Sequence, residues 1–336
     1  MRQNLRKTLT FLVALTLCFT YMAIGQAEEI FSETFQDSSG ISSRNNVRIS
    51  ETVVGNTIYY MIQDGSIYTW NPDQRVYEHF TNVEARQFIN IEIPFTHQSE
   101  AVQKAYTETV SMLVPSEEGL YGFNDISGLI GLIDKDGWHK NEVRLDTSKL
   151  RSSEDDYPDQ LINSFMYNGK MYAFYDRIWI NPGTIDTSLL VFNLADGTCD
   201  VKKLPGVIVF NRYKQNKLIC IKDSGNDLPI LSVYDFTSSA MNDLGISIPT
   251  SISRGDFSLS WQVHSKIGGL AYDQVRDRIY YADDSGIWGS FEGKPFEQIP
   301  LKGPWLRVSP LARAYVLSSG DYVTLNGGLG IRCFEP

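Results

Sequence analysis

The sequence predicts an all-β fold, a β-propeller of six four-stranded blades closed by an N-terminal strand. Three observations predict it. A hairpin-like unit recurs six times along the 336 residues. Its anchor positions Ile58, Leu120, Met171, Leu218, Ile279 and Tyr322 lie 62, 51, 47, 61 and 43 residues apart. No segment carries a convincing amphipathic helical stripe, and no helix–strand alternation points to an α/β fold. A two-sheet sandwich would also use many short strands, but it would not require a repeat of this length.

The units are Thr57–Asn71, Gly119–Asp134, Gly169–Asn193, Lys217–Asp235, Arg278–Glu292 and Asp321–Phe334. In each, apolar residues alternate at period 2 up to a turn of Gly, Asp or Asn, which tolerate the backbone a hairpin needs. A candidate inner strand precedes each hairpin: Val47–Val54, Thr109–Val114, Leu161–Tyr167, Val207–Tyr213, Ile267–Tyr272 and Ala314–Leu317. Short outer strands are expected at Val76–Phe80, Glu142–Leu145, Asp200–Leu204 and Gln298–Leu301. The last hairpin ends two residues from the terminus, so Glu29–Phe35 is expected to complete its blade and join the chain ends. Tyr106–Leu113 has the composition of a turn or two of helix but also reads as strand.

Residues 1–27 read as a signal peptide. Arg2, Arg6 and Lys7 precede the uncharged run Thr8–Gly25, and Gly25 and Ala27 are small residues suited to cleavage. A retained anchor is the alternative, although the run falls short of the ~20 residues that span a bilayer. Leu17, just before Cys18, argues against lipidation. Residues 28–336 are then a single propeller domain, exported to the extracellular side. Without the three leader cations, 27 basic residues face 40 acidic ones, a net charge of −13. Such a surface repels phosphate backbones and anionic lipid, which argues against nucleic acid and membrane-surface binding, and no second apolar run reaches membrane-spanning length, so no membrane insertion is expected after cleavage.

Gly269-Leu270-Ala271-Tyr272-Asp273, five residues, then Ile279-Tyr280-Tyr281-Ala282-Asp283 resembles the blade signature of YWTD-type propellers, a superfamily that includes TolB-like proteins. Tyr281 and Ala282 depart from the second and third letters of that signature. Thr57–Tyr60 and Lys170–Ala173 match only its second half. The resemblance implies a six-bladed fold and a structural role for Asp283, tightening its own blade. It implies no single function, because related propellers include receptor modules, periplasmic proteins and a few enzymes. Asp284–Trp288 is one residue too short for a sialidase Asp-box and reads as a turn.

Cys199, Cys220 and Cys333 remain after the leader and read as free, buried thiols, with one bridge as the alternative. His79, His97, His139 and His264 share no metal-binding spacing, and no nucleophile elbow or phosphate-binding loop occurs. The clusters Asp134–Gly137, Asp223–Asp227 and Asp283–Gly286 could hold calcium, but each falls where a hairpin needs turn residues anyway, so no cofactor is expected. Three candidate inner strands contain no Asp or Glu, which argues against a glycosidase.

Long connections between blades are where binding residues are sought. Val83–Ala105 contributes Phe95 and His97, Asp146–Gln160 contributes Tyr157, and Ile246–His264 contributes Arg254, Asp256, Trp261 and His264. Aromatic rings beside Arg and Asp suit stacking on a sugar or gripping a peptide. The expectation is a monomeric, secreted, non-catalytic binding module for a glycan, peptide or protein. The alternatives are a carbohydrate-active hydrolase or lyase and an accessory of an exported transport system.

Overall fold

The computed structural model describes residues 28–33, 48–62, 64–71, 76–85, 95–150, 161–176, 186–214, 216–225, 228–250, 267–291, 293–300, 313–317, 319–325 and 331–335. Period-2 patterning and turn chemistry act as expected: the chain forms four-stranded antiparallel sheets, arranged as the blades of a propeller. The first strand, β1 (Glu28–Glu33), is set aside for the end of the chain. Blade I is β2 (Arg48–Val54), β3 (Thr57–Ile62), β4 (Ser66–Asn71) and β5 (Val76–Asn82). Blade II is β6 (Met112–Pro115), β7 (Leu120–Phe123), β8 (Ile130–Asp134) and β9 (Gly137–Lys140). Blade III is β10 (Leu161–Tyr167), β11 (Lys170–Asp176), β12 (Asp186–Asn193) and β13 (Cys199–Pro205). Blade IV is β14 (Val207–Arg212), β15 (Lys217–Lys222), β16 (Ile230–Asp235) and β17 (Ala240–Ser247). Blade V is β18 (Ile267–Asp273), β19 (Arg278–Asp283), β20 (Gly286–Phe291) and β21 (Glu297–Gln298).

The expected repeat thus resolves into five blades contiguous in sequence and one composite sheet. That closing sheet has the order β1-β24-β23-β22, with β22 (Arg313–Val316), β23 (Tyr322–Leu325) and β24 (Ile331–Glu335). Glu28 pairs with Glu335 and Glu33 with Ile331, so the two ends of the described chain are hydrogen-bonded to each other.

Apolar faces of neighbouring sheets make the core. Leu113 and Ile133 of blade II pack on Met61 and Ile67 of blade I, and Phe174 of blade III packs on Phe210 and Leu218 of blade IV. Ala314 and Tyr322 of the closing sheet meet Ala271 and Tyr280 of blade V, while Leu317 and Val323 meet Ile58 and Tyr60 of blade I. The first strands of successive blades run side by side, as β2 with β6, β14 with β18 and β18 with β22. These are the inner strands, and four of them carry a bulge against the second strand of their own blade. A bulge adds local twist, which suits a strand that must turn toward an axis.

Three readings of local structure change. Ser99 caps a helix, α1 (Glu100–Thr107), so that connection is not devoid of helix and blade II begins only at Met112. Glu, Ala, Gln and Lys are good helix formers after a serine cap, but at eight residues the helix is too short for its apolar side, Val102 and Tyr106, to repeat into a convincing stripe. The outer strand of blade II is β9, ahead of Glu142–Leu145, because Asp134 and Gly137 reverse the chain immediately after β8. Strand β17 was not expected at all. Its Asn, Asp and Gly are poor strand formers, and it is an exposed edge held by pairing with β16.

Candidate functional site at the axial mouth

Each inner strand ends in the turn that leads to the second strand of its blade. These turns therefore gather at one end of the axis, and the segment ahead of β6 that carries Phe95 lies at the other. Two adjoining cavities, ≈ 460 and ≈ 330 Å³, open among the inner-strand ends and share Val53, Gly55, Asn211, Arg212 and Tyr315. Those sizes fall in the range of small-ligand sites.

The sequence supplies Arg212 by ending an apolar strand, Val-Ile-Val-Phe-Asn-Arg, on a cation. Its guanidinium lies 5.2 Å from the ring centroid of Tyr167 and 6.0 Å from that of Phe165, both on blade III. It reaches past them to ion-pair with Glu117, in the turn of blade II. The side chain of Arg212 is 32% exposed and that of Glu117 is 71% exposed. A guanidinium half-buried on aromatic faces gains cation–π attraction and loses little solvation, since it is weakly hydrated.

A chain of polar contacts continues around the lip. Lys214 of blade IV pairs with Asp277 of blade V at 2.8 Å, and the Tyr272 hydroxyl donates to the same carboxylate at 2.8 Å. These two donors hold the Asp277 carboxyl below its usual range, the lysine contributing most, and Asp277 in turn holds Lys214 above its own. Burial, with help from Asp277, pushes the Tyr272 phenol up to about 12. Asp273, 1% exposed, accepts the backbone N–H groups of Val275 and Arg276 and a guanidinium N–H of Arg276. Arg276 then donates to Ser319 O of the closing sheet at 3.0 Å, and Ser319 N donates to Asn56 of blade I. Gly320 makes this crossing feasible: a Cβ there would sit 1.3 Å from the Arg276 guanidinium, and its φ is +94°. The lip is thus knitted turn to turn, and Val275, 78% exposed, stands on its most heavily tied turn.

Deeper along the same strands, polar side chains serve neighbouring blades. Leu113 N donates to Ser50 Oγ at 2.9 Å, and Ser164 Oγ donates to Met112 Sδ at 3.5 Å. Asn211 Nδ2 donates to Leu270 O at 2.7 Å and Ala314 O at 3.1 Å, joining three blades. The Tyr322 hydroxyl donates to Gly269 O at 2.5 Å. Glu51, buried on β2, is a carboxylate on an inner strand outside the three that lack one. Among the described inner strands its one acidic companion is Asp273, which is engaged in its own turn.

Of the sequence candidates, Phe95 and His97 lie at the opposite end, before β6. Phe95 is 8% exposed and packs with Tyr106 and Ile126, so its ring serves a small core and not a ligand surface. His97 is exposed in a short 3-10 turn. Tyr157, Arg254, Asp256, Trp261 and His264 lie outside the described residues. The Asp clusters behave as turns: Asp134 accepts from Asp136 N, Asp223 from Gly225 N, and Asp283 from Ser285 N and Gly286 N. Asp283 also accepts from Thr250 Oγ1 at 2.5 Å, a contact that reaches out of blade V to the segment after β17. Among the described residues no three His, Cys, Asp or Glu side chains gather as metal ligands. Cys199 and Cys220 are free thiols, Cys220 buried and Cys199 only partly so. Burial, before the nearby Asp146, pushes the Cys199 thiol up to about 12, leaving it a poor nucleophile.

The expected inner strands Leu161–Tyr167 and Val207–Tyr213 already contain Tyr167 and Arg212, but aromatic and charged residues draw attention to the long connections between blades and away from strand ends. A cation ending an apolar strand was the available signal.

No family model and no curated protein sequence matches the chain. Among solved structures, a gluconolactonase of Xanthomonas campestris aligns at 8% identity over 86% of each chain, with a TM-score of 0.47. The WD40 β-propeller domain of Doa1 aligns at 8% identity over 88% of this chain and 95% of its own, TM-score 0.44. U3-55K aligns at 13% identity over 88% and 97%, TM-score 0.44. Similarity at this level carries no activity from those proteins to this one.

Proposed function

We propose that the protein is a non-catalytic binding module that takes its ligand at the axial mouth, on the face where the inner-strand turns gather. The observation that carries this reading is Arg212, a half-buried cation set on aromatic faces at the edge of a ≈ 460 Å³ cavity. Rigid turns around it give a ligand a surface that costs little ordering on binding. The scaffold is read as a six-bladed ring of the YWTD/TolB-like kind, closed by β1. The leader 1–27 is read as an export signal, which places the ring on the extracellular side as a monomer. Among the described residues no helix is long and apolar enough to cross a membrane.

The test is a thermal-shift screen of the purified protein against glycans, peptides, small acids and calcium with and without chelator. A ligand that binds only the folded state raises the melting temperature. A rise that disappears when mouth residues are changed supports the reading, and turnover of that ligand would replace it with the hydrolase or lyase alternative. A screen without any rise, or a rise untouched by changes at the mouth, contradicts it.

A further inference from the structure

The Arg212–Glu117 pair crosses between blades that are not neighbours: it joins blade IV to blade II over the Phe165 and Tyr167 rings of blade III. A flexible glutamate on a turn, 71% exposed, has no packing reason to be held there. Exposed ion pairs of this kind contribute little to stability, so the contact is readily exchanged. Beneath it the cavity presents mainly carbon, from Val53, Pro115, Phe165 and Tyr315, and Arg212 is its one cationic side chain among the described residues.

We propose, resting on the reading above, that Arg212 is the anion anchor of the mouth and that Glu117 holds the place of a ligand carboxylate. The ligand is a small carboxylate with an apolar body. Its carboxylate displaces Glu117 and takes the planar fork of Arg212, for which an arginine offers paired donors. Its apolar body fills the carbon-lined cavity and removes that surface from water. The protein's net charge of −10 opposes free anions at a distance, so charge alone would not retain such a ligand. The apolar body supplies most of the affinity, and the anchor supplies orientation and selectivity. The chemistry fits a free organic acid and the C-terminus of a peptide ending in an apolar residue.

Isothermal titration of the full protein tests this with two matched pairs: 3-phenylpropionate against its amide, and N-acetyl-Leu-Phe against its C-terminal amide. The acid of at least one pair is expected to bind ten-fold or more tighter than its amide, and the tighter acid identifies the source. Glu117→Gln is expected to tighten the acid three- to ten-fold by vacating the fork. Arg212→Met is expected to abolish the acid–amide difference, and Arg212→Lys to keep part of it, which guards against a folding defect in the methionine variant. Equal binding of acids and amides, binding of neither, or weaker acid binding in Glu117→Gln overturns the proposal. A neutral glycan or peptide that binds at the mouth without needing Arg212 would overturn it while leaving the binding-module reading intact.

Discussion

Asn211 and Arg212 are adjacent on one strand and do opposite work. Asn211 gives both amide hydrogens to the backbone of blades V and the closing sheet, at the waist of the ring. Arg212, one residue on, leaves the waist and sets its guanidinium at the lip, over the Phe165 and Tyr167 rings and against Glu117. The same division holds elsewhere. Ser50, Ser164 and Tyr322 serve neighbouring blades at the waist, whereas at the mouth Glu117 pairs with Arg212 and Lys214 with Asp277. A propeller can therefore keep stability and recognition on the same strands, separated by a single residue step.

The sharpest way to break this division is at the waist. Gly269 has a φ of +59°, and a Cβ there would stand 2.4 Å from the Tyr322 hydroxyl that bonds its carbonyl. Gly269→Ala is expected to cost about 3 kcal/mol in urea unfolding, from backbone strain and the displaced tyrosine. A loss below about 1 kcal/mol would show that the inter-blade bond is dispensable. Asn211→Ala is expected next, at about 2 kcal/mol, because two carbonyls lose their donor.

At the mouth the effects shrink. Asp277→Asn is expected to cost less than about 1 kcal/mol at pH 7, since the pair with Lys214 is exposed. The folded carboxyl lies below its unfolded value of about 3.9, so its contribution is present above that pH. It is lost as pH falls through the depressed folded value. Urea midpoints of wild type and variant should therefore differ from pH 7 to about pH 4 and converge below it. A difference that persists unchanged to pH 2 would assign the effect to something other than the Asp277 charge.

The scaffold was legible because it rests on local rules. Period-2 alternation and Asp/Gly turns located Leu161–Tyr167 to the residue and the other inner strands mostly to within one or two. The free edge of the last hairpin pointed to the N-terminal segment, which occupies that position as Glu28–Glu33. Helix α1 and strand β17 were missed because each is held by a cap or a partner strand more than by its own apolar pattern. The site was less legible. Long connections rich in Phe, Trp and His drew attention to one end of the axis, yet Phe95 is spent on packing there. The Arg212 pair depends on residues 95 positions apart, and only the closure of several blades around one axis brings them together.

The most direct test compares wild type and Arg212→Met side by side in the thermal-shift screen, first without ligand and then with each ligand. The ligand-free melting temperatures are expected to differ by at most a few degrees, from loss of the exposed pair and the cation–π contacts, and at least one ligand is expected to stabilise wild type but not the variant. A ligand that stabilises both equally would place the binding site away from Arg212 and rule out the mouth as the site of recognition.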